Sequence, residues 1–418
     1  MCSLSSDLRR LHCRLFLLFL LLLLWLSSTA QAQQEAPTHL LLIGIDGLRW
    51  DIIDRHPAPT LRRLASQGVR AQGVVPVMPS KTFPNFYAIA TGLYPDRNGV
   101  LDNASYDATL DMTFRMSLQD DARWFQGEPI WVTAERQGLR AATMFWVGSG
   151  AEIGGLRPTY WHPFDGSVPN EKRVEQVLEW FALDESQRPH FLSVYFEAID
   201  SASHSFGVNS PEERAAVLAV DTALGDLLNR LEAQGVLSST NVIVVGDHGM
   251  TDLSPERIIY LDDFVDFSDL YSPQLSGERQ GNAVFAAFHG ESDDVERVYR
   301  ALALAHPHMS VYRKSGFPEW FHQTHPQRAP DLIIVPDNGW MLSKRGIPYN
   351  GPRASHGFSP HERDMHAGFI ASGPAFQSGE VVEPFAIVDI YNVMARILGL
   401  TPASNDGNPE LIQHLLQK

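Results

Sequence analysis

The chain has 418 residues, 44% of them hydrophobic, 20% charged and 10% aromatic, an ordinary globular balance that excludes disordered, collagenous and repeat-built architectures. Its 33 Lys and Arg against 49 Asp and Glu give a formal net charge of −16, and without a basic block it is poorly suited to the phosphates of long nucleic acid. The two cysteines, Cys2 and Cys13, lie at the N-terminus, so the rest of the chain has no disulfide, no thiolate metal site and no cysteine nucleophile.

Residues 1–32 read as an export signal. Arg9, Arg10 and Arg14 form a basic start, residues 15–26 an apolar run, and Ala30-Gln31-Ala32 a small-residue cleavage pattern. The apolar run is too short to cross a hydrocarbon layer of roughly 30 Å, so no stable membrane anchor is expected. Loss of Arg9, Arg10, Arg14 and Asp7 leaves 30 basic and 48 acidic side chains, a net charge of −18. An anionic substrate would then need local positive charge, and metal ions are one source of it.

Beyond the signal, apolar runs bounded by turn residues alternate with amphipathic stretches. Residues 39–45 predict a buried strand and residues 60–67 a helix closed by Gly68. Residues 141–147 predict a strand, 171–183 a helix and 191–196 a strand. A long helix over 211–234 opens on Pro211 and closes at Gly235, and a strand follows at 241–245. Later strands are expected at 331–335 and 368–371, and a closing helix at 387–398. The polar, aperiodic stretch 102–127 reads as an insertion over one edge of the site. Strands separated by helices predict one α/β domain over residues 33–418, with a mostly parallel sheet covered on both faces.

Ionisable residues fall at the strand ends. Asp46 follows Leu-Leu-Ile-Gly-Ile, Asp200 and His204 follow the strand at 191–196, and Asp247-His248 follow Val-Ile-Val-Val-Gly. Ligands of open α/β sheets bind beyond the carboxyl ends of strands. A lone Asp there is an ordinary helix cap, but three such ends with the same chemistry predict a metal cluster. Carboxylate and imidazole without thiolate suit zinc, and less specifically manganese or iron. Two ions need about six protein ligands, so one more His is expected, with His356 and His366 as candidates. The nucleophile candidate lies in Pro79-Ser80-Lys81-Thr82-Phe83-Pro84-Asn85, where a metal would activate a hydroxyl directly. No G-x-S-x-G elbow surrounds a serine, which argues against an α/β-hydrolase triad.

Together these segments resemble the nucleotide pyrophosphatase/phosphodiesterase family of the alkaline phosphatase superfamily. The resemblance runs from about residue 39 to 400. It rests on Ile45-Asp46-Gly47, Lys81-Thr82-Phe83-Pro84-Asn85, Thr91-Gly92-Leu93-Tyr94-Pro95, Arg188-Pro189-His190-Phe191, Asp200 with His204, Asp247-His248-Gly249-Met250, and Met365-His366 before Gly373-Pro374-Ala375-Phe376. It implies an alkaline-phosphatase-like α/β/α sandwich with two Zn2+ ions per chain. Asp200, His204 and His366 would hold one, and Asp46, Thr82, Asp247 and His248 the other. Thr82 would be the nucleophile and Asn103 the donor to a phosphoryl oxygen. Phe83 and Phe164 would stack on a base, and Tyr195 would line the pocket. Ser203 where the family usually has Gly, Arg97-Asn98 after Tyr-Pro, and Val147 for a frequent Pro depart from the pattern without removing a ligand.

The implied activity is exported, zinc-dependent hydrolysis of nucleotide diesters and pyrophosphates to nucleoside 5′-monophosphates through a phosphothreonine. The expected partner is a small nucleotide or dinucleotide, with no obligate protein partner evident. The chain reads as the minimal, bacterial type, expected in the periplasm or outside the cell. The alternatives are the same chemistry on a phospholipid-headgroup diester, a phosphomonoesterase, and a non-catalytic metal- or nucleotide-binding protein. The monoesterase would want an added cationic clamp, and the binding protein would be expected to lose Thr82 or a ligand. A sulfatase would need a Cys/Ser-x-Pro-x-Arg segment, which is lacking around the nucleophile.

Overall fold

Residues 39–45 carry five Leu or Ile and a Gly after His39, and every one of the seven is buried. A run apolar on both faces can only be an interior strand of a sheet covered on each side, and this strand is the centre of the molecule. The computed structural model describes residues 38–266, 283–346, 349 and 351–417; the signal expected at residues 1–32 lies outside them.

In chain order the principal strands are β1 (His39–Ile45), β2 (Val69–Ala71), β3 (Ala141–Met144), β4 (Tyr160–His162), β5 (Phe191–Phe196), β6 (Thr240–Val245), β7 (Ala286–Phe288), β8 (Met309–Arg313), β9 (Leu332–Pro336), β10 (Phe369–Ser372) and β11 (Glu380–Val382). The principal helices are α1 (Pro59–Gln67), α2 (Thr82–Thr91), α3 (Asn170–Phe181), α4 (Ala198–Phe206), α5 (Pro211–Ala233), α6 (Ser292–Leu302) and α7 (Ile390–Ile397). The large sheet has eight strands in the order β11-β2-β10-β6-β1-β5-β3-β4. From β6 through β4 all pairings are parallel, with β1 in register against β5 (Ile45 opposite Phe196) and β6 (Gly44 opposite Val245). Only β10 runs against both its neighbours. The carboxyl ends of β6, β1, β5 and β3 therefore share one edge.

The helices form two mutually packed groups, α1, α3, α4 and α5 in one and α2, α7 and helix Ile130–Arg136 in the other, as a sheet buried on both faces requires. Strands β7, β9 and β8 make a separate antiparallel sheet with its own core of Phe288, Val298, Leu302, Leu332 and Ile334. The α/β reading of the sequence anticipated β1, β3, β5, β6, β9 and β10 to within a few residues. The strands it missed are β2, β4, β7, β8 and β11, of five residues or fewer; β2, β4, β8 and β11 also lack the continuous apolar run that marked β1, β5 and β6.

The stretch at 102–127 is a small hairpin (Tyr106–Asp107 with Met112–Thr113) followed by two 3-10 turns. Buried Arg328 pins it by donating to Asp107 (2.7 Å) and to the carbonyls of Gly99, Arg123 and Trp124. Phe114 from this segment meets the Phe83 ring edge-on at 5.7 Å.

Gly44 shows how closely α2 approaches the sheet. A Cβ there would stand 2.7 Å from Phe86 Cε1 and 2.8 Å from Trp146 Cζ3, and both rings are buried. Overpacking of a filled core costs about 1–3 kcal/mol. Gly44→Ala is expected to lower the unfolding free energy by that amount, seen as a lower urea midpoint at an unchanged m-value, and an unmoved midpoint would mean this contact is soft.

Candidate active site

The shared edge collects three carboxylates. Asp46 leaves β1, Asp247 leaves β6, and Asp200 sits in the first turn of α4, which follows β5; the three strands are adjacent. Asp46 and Asp247 are buried, and Asp200 is mostly so. One oxygen of each, Asp46 Oδ1, Asp200 Oδ1 and Asp247 Oδ2, is buried with no hydrogen-bond partner. Burying an unpaired charged oxygen costs several kcal/mol unless a cation or proton compensates.

Three imidazoles face these oxygens. His204, one turn beyond Asp200, puts Nε2 3.4 Å from Asp200 Oδ1, and His356 Nε2 lies 3.6 Å from the same atom. His248 Nε2 lies 2.9 Å from Asp247 Oδ2 and 3.3 Å from Asp46 Oδ1. Two groups of ligand atoms result, Asp200 with His204 and His356, and Asp46 with Asp200 and His248, each within 4.8 Å of one another. In all three rings Nδ1 is turned to a backbone carbonyl: Ala354 O (2.8 Å), Gly249 O (2.9 Å) and Ser80 O (2.9 Å) for His204, His248 and His356. A proton on Nδ1 leaves Nε2 with its lone pair aimed into the cluster, the usual way a metal-ligating His is oriented. The orphaned oxygens and the carboxylate–imidazole donor set fit one or more divalent cations, zinc among them.

Electrostatics agree. Burial, then the charges of Asp247 and Asp200, push the Asp46 carboxyl well above the usual range. Burial also raises Asp200, against the opposing pull of His204 and His248. His356 is driven well below an ordinary imidazole by burial and by His248 and His204. Burial disfavours charge on His248 too, but Asp247 and Asp200 outweigh it and its pKa rises. Without a cation this cluster must take up protons; a cation replaces them.

His366, which the resemblance assigned to the ion shared by Asp200 and His204, is not in either group; His356 stands there instead. Because β10 runs antiparallel to β6, the residues before it do reach the correct edge. The His366 ring, however, lies beside Gly73, and its Nδ1 pairs with the Arg363 guanidinium at 2.9 Å. His356 directly follows a two-residue strand, Ala354–Ser355, paired with Thr251–Asp252, and is latched to the Thr82 loop through its own bond to Ser80 O and that of Ser80 Oγ to Phe358 O (2.7 Å).

Thr82 opens α2, after Lys81 in extended conformation, and its Oγ1 lies 3.4 Å from His248 Nε2. The loop before it is held by Asn85, which donates to the Lys81 carbonyl (2.8 Å) and accepts from the Val77 N–H (2.7 Å). The Phe83 N–H donates to Asn103 Oδ1 (2.9 Å), so the Asn103 NH2 group is the part of that amide left to act as a donor. Tyr195 donates to Asp46 Oδ2 at 2.5 Å, tying a pocket residue to a ligand, a link the sequence did not suggest. Phe164 is 43% exposed and meets Tyr195 (5.9 Å) and Phe145 (5.6 Å) edge-on. Behind this wall, buried Arg173 forks onto Glu197 and donates to the Tyr195 carbonyl. It too was missed, as a lone Arg in a helix has no sequence signature.

An α/β sandwich whose adjacent parallel strands end in a carboxylate–imidazole cluster beside a helix-initial hydroxyl places the chain in the alkaline phosphatase superfamily. The model of the type I phosphodiesterase / nucleotide pyrophosphatase family matches residues 40–359, and the chain belongs to that family. It is 34% identical over 390 residues to human ectonucleotide pyrophosphatase/phosphodiesterase family member 1, covering 90% of this chain and 42% of that protein. It is 34% identical over 406 residues to venom phosphodiesterase of Macrovipera lebetinus, covering 94% and 47%. The chain thus spans less than half the length of these curated relatives. Murine ectonucleotide pyrophosphatase/phosphodiesterase 5 superposes with a TM-score of 0.84 at 30% identity, over 91% of this chain and all of that one. An inactive threonine-to-alanine variant of the murine protein has been solved in complex with AMP, with the same TM-score over 90% of this chain.

Two outcomes are expected. After metal loading and dialysis, His356→Ala should retain one ion fewer per chain than the parent by emission spectrometry, whereas His366→Ala should retain the parent content. The second concerns pH. Asp46 and Asp200 have folded pKa values above their unfolded ones, so in metal-free protein their contribution to stability falls as pH rises through the folded values. Ion binding needs these ligands deprotonated and strengthens over the same interval. The melting-temperature gap between loaded and chelated protein should therefore widen as pH rises above the ordinary carboxylate range; a constant gap would dissociate the cluster from cation binding.

Proposed function

We propose that the chain is an exported two-zinc hydrolase of nucleotide phosphodiester and pyrophosphate bonds, releasing nucleoside 5′-monophosphates. The observation that carries this reading is the Thr82 hydroxyl at the start of α2, 3.4 Å from a ring of the buried carboxylate–imidazole cluster. Asp200, His204 and His356 would hold one cation, and Asp46, Thr82, Asp247 and His248 the other. Bound there, the cations would lower the pKa of the threonine hydroxyl and offset charge on the phosphoryl oxygens.

Thr82 Oγ1 attacks phosphorus as the bond to the leaving alcohol or phosphate breaks, giving a phosphothreonine that keeps the nucleoside 5′-oxygen. Water then attacks the same phosphorus, Thr82 recovers its hydroxyl and the nucleoside 5′-monophosphate departs. The Asn103 NH2 donates to a non-bridging oxygen that gains charge in the transition state. Phe83 and the exposed face of Phe164 sandwich the base, and Tyr195 keeps Asp46 oriented. The AMP bound by the murine relative supports a nucleoside-monophosphate product, as do the relatives' names.

Lys81 is the cation next to the nucleophile in sequence, and its Nζ is committed to Asp102 at 2.9 Å. The second charge of a phosphomonoester therefore gains nothing from it, which favours a monoanionic diester. The basic, apolar and small-residue order of residues 1–32 supports export.

The test compares an aryl ester of thymidine 5′-monophosphate with the simple aryl phosphate, using zinc-loaded mature protein. A large preference for the nucleotide ester is expected, and preference for the monoester would overturn the substrate class. Thr82→Ala should lose turnover by at least about 1,000-fold while retaining its second ion; near-normal turnover would remove the phosphothreonine. Phe83→Ala should raise KM for the nucleotide ester more than for a small aryl diester, and equal losses would count against stacking.

A further inference from the structure

Lys81 and Asp102 form an ion pair that is 7% and 4% exposed, with Nζ 2.9 and 3.2 Å from the two carboxylate oxygens and the ammonium over the Phe285 ring at 5.5 Å. Each partner immediately precedes a residue of the candidate machinery: Lys81 precedes Thr82, and Asp102 precedes Asn103. Asp102 Oδ1 also accepts the Asn103 N–H at 2.6 Å, and Asn103 Oδ1 accepts the Phe83 N–H at 2.9 Å. The contacts close a loop running from Lys81 through Thr82 and Phe83 to Asn103, then back through Asp102 to Lys81. Two segments 21 positions apart are thereby joined on both sides of the residues that would act on phosphorus.

Stability alone is a poor reason for such a pair. Removing a Lys ammonium and an Asp carboxylate from water costs several kcal/mol each, and apolar replacements of similar size are often as stable or more so. What the pair does provide is geometry. It fixes the start of α2 against the 101–103 turn. Asp102 holds the Asn103 backbone, and the Phe83 N–H on Oδ1 then sets which way the Asn103 amide faces.

We propose that Lys81 and Asp102 are positioning residues that set the separation between the Thr82 hydroxyl and the Asn103 amide. This rests on the function proposed above, in which those two groups engage the same phosphoryl group. Neither Lys81 nor Asp102 touches substrate. Their removal should act on the transition state, in which attack by one group and donation by the other must coincide.

The experiment uses three zinc-loaded proteins: the parent, Lys81→Met, and the double variant Lys81→Met/Asp102→Leu, which removes both charges and so has no unpaired buried ion. Two readouts are taken, steady-state kinetics on the aryl ester of thymidine 5′-monophosphate and hydrogen exchange of the Phe83 amide. In the double variant the melting temperature should stay close to the parent's and the zinc content should be unchanged. There kcat should fall about 100-fold with KM within about threefold, the cost of misplacing a catalytic group by about 1 Å, and Phe83 N–H protection should drop. A double variant with parental kcat and parental Phe83 protection would overturn the proposal and leave the pair a packing feature. Loss of zinc or a KM rise matching the kcat loss would equally overturn it. Should the parent fail to cleave the ester, the proposed function fails by itself, and Phe83 exchange still reports whether the pair clamps the two segments.

Discussion

Three carboxylates that cannot all stay ionised without help are the constraint on which the rest of the structure turns. Asp46, Asp247 and, one helical turn on, Asp200 follow adjacent parallel strands, so strand spacing brings like charges close together behind low-dielectric walls. Each leaves one buried oxygen without a hydrogen bond, and each would be a liability in a fold that had no use for cations. The surrounding features make sense as responses to that crowding. Three imidazoles have their Nδ1 atoms spent on backbone carbonyls. A buried tyrosine donates to Asp46, and the helix beginning at Thr82 aims its first hydroxyl at the cluster.

The sheet supplies rigidity where the chemistry needs it. Central strands buried on both faces, with α2 pressed against Gly44, hold the ligand-bearing ends in a frame that small side-chain adjustments cannot move. The aromatic side chains proposed to hold a base are braced from outside the sheet. Phe164 lies in a loop braced by Arg173 and Glu197, and Phe83 is packed by Phe114 of the inserted hairpin. Loops carried by a rigid scaffold tolerate change more readily than the sheet edge that holds the carboxylates.

The sequence was most readable where local pattern and function coincide. An apolar run followed within a few residues by Asp is visible without a structure, and β1, β5 and β6 each lead to one, with Asp200 reached through the first turn of α4. The His356/His366 choice turns on a difference of the same kind. His366 precedes a strand and mimics the pattern, while His356 sits in an aperiodic segment placed by bonds to Ser80, 276 positions away. Contacts of that separation leave no local trace. Arg328, Arg173, the bond of Tyr195 to Asp46 and the Lys81–Asp102 pair were unreadable for the same reason, since each joins residues that are not neighbours in the chain.

Anomalous diffraction above and below the zinc edge, on crystals of the loaded protein, tests the central claim most directly. The account predicts two peaks per chain, one among Asp200, His204 and His356 and one among Asp46, Thr82, Asp247 and His248. A single peak, or a peak bound by His366 with His356 turned away, would contradict it.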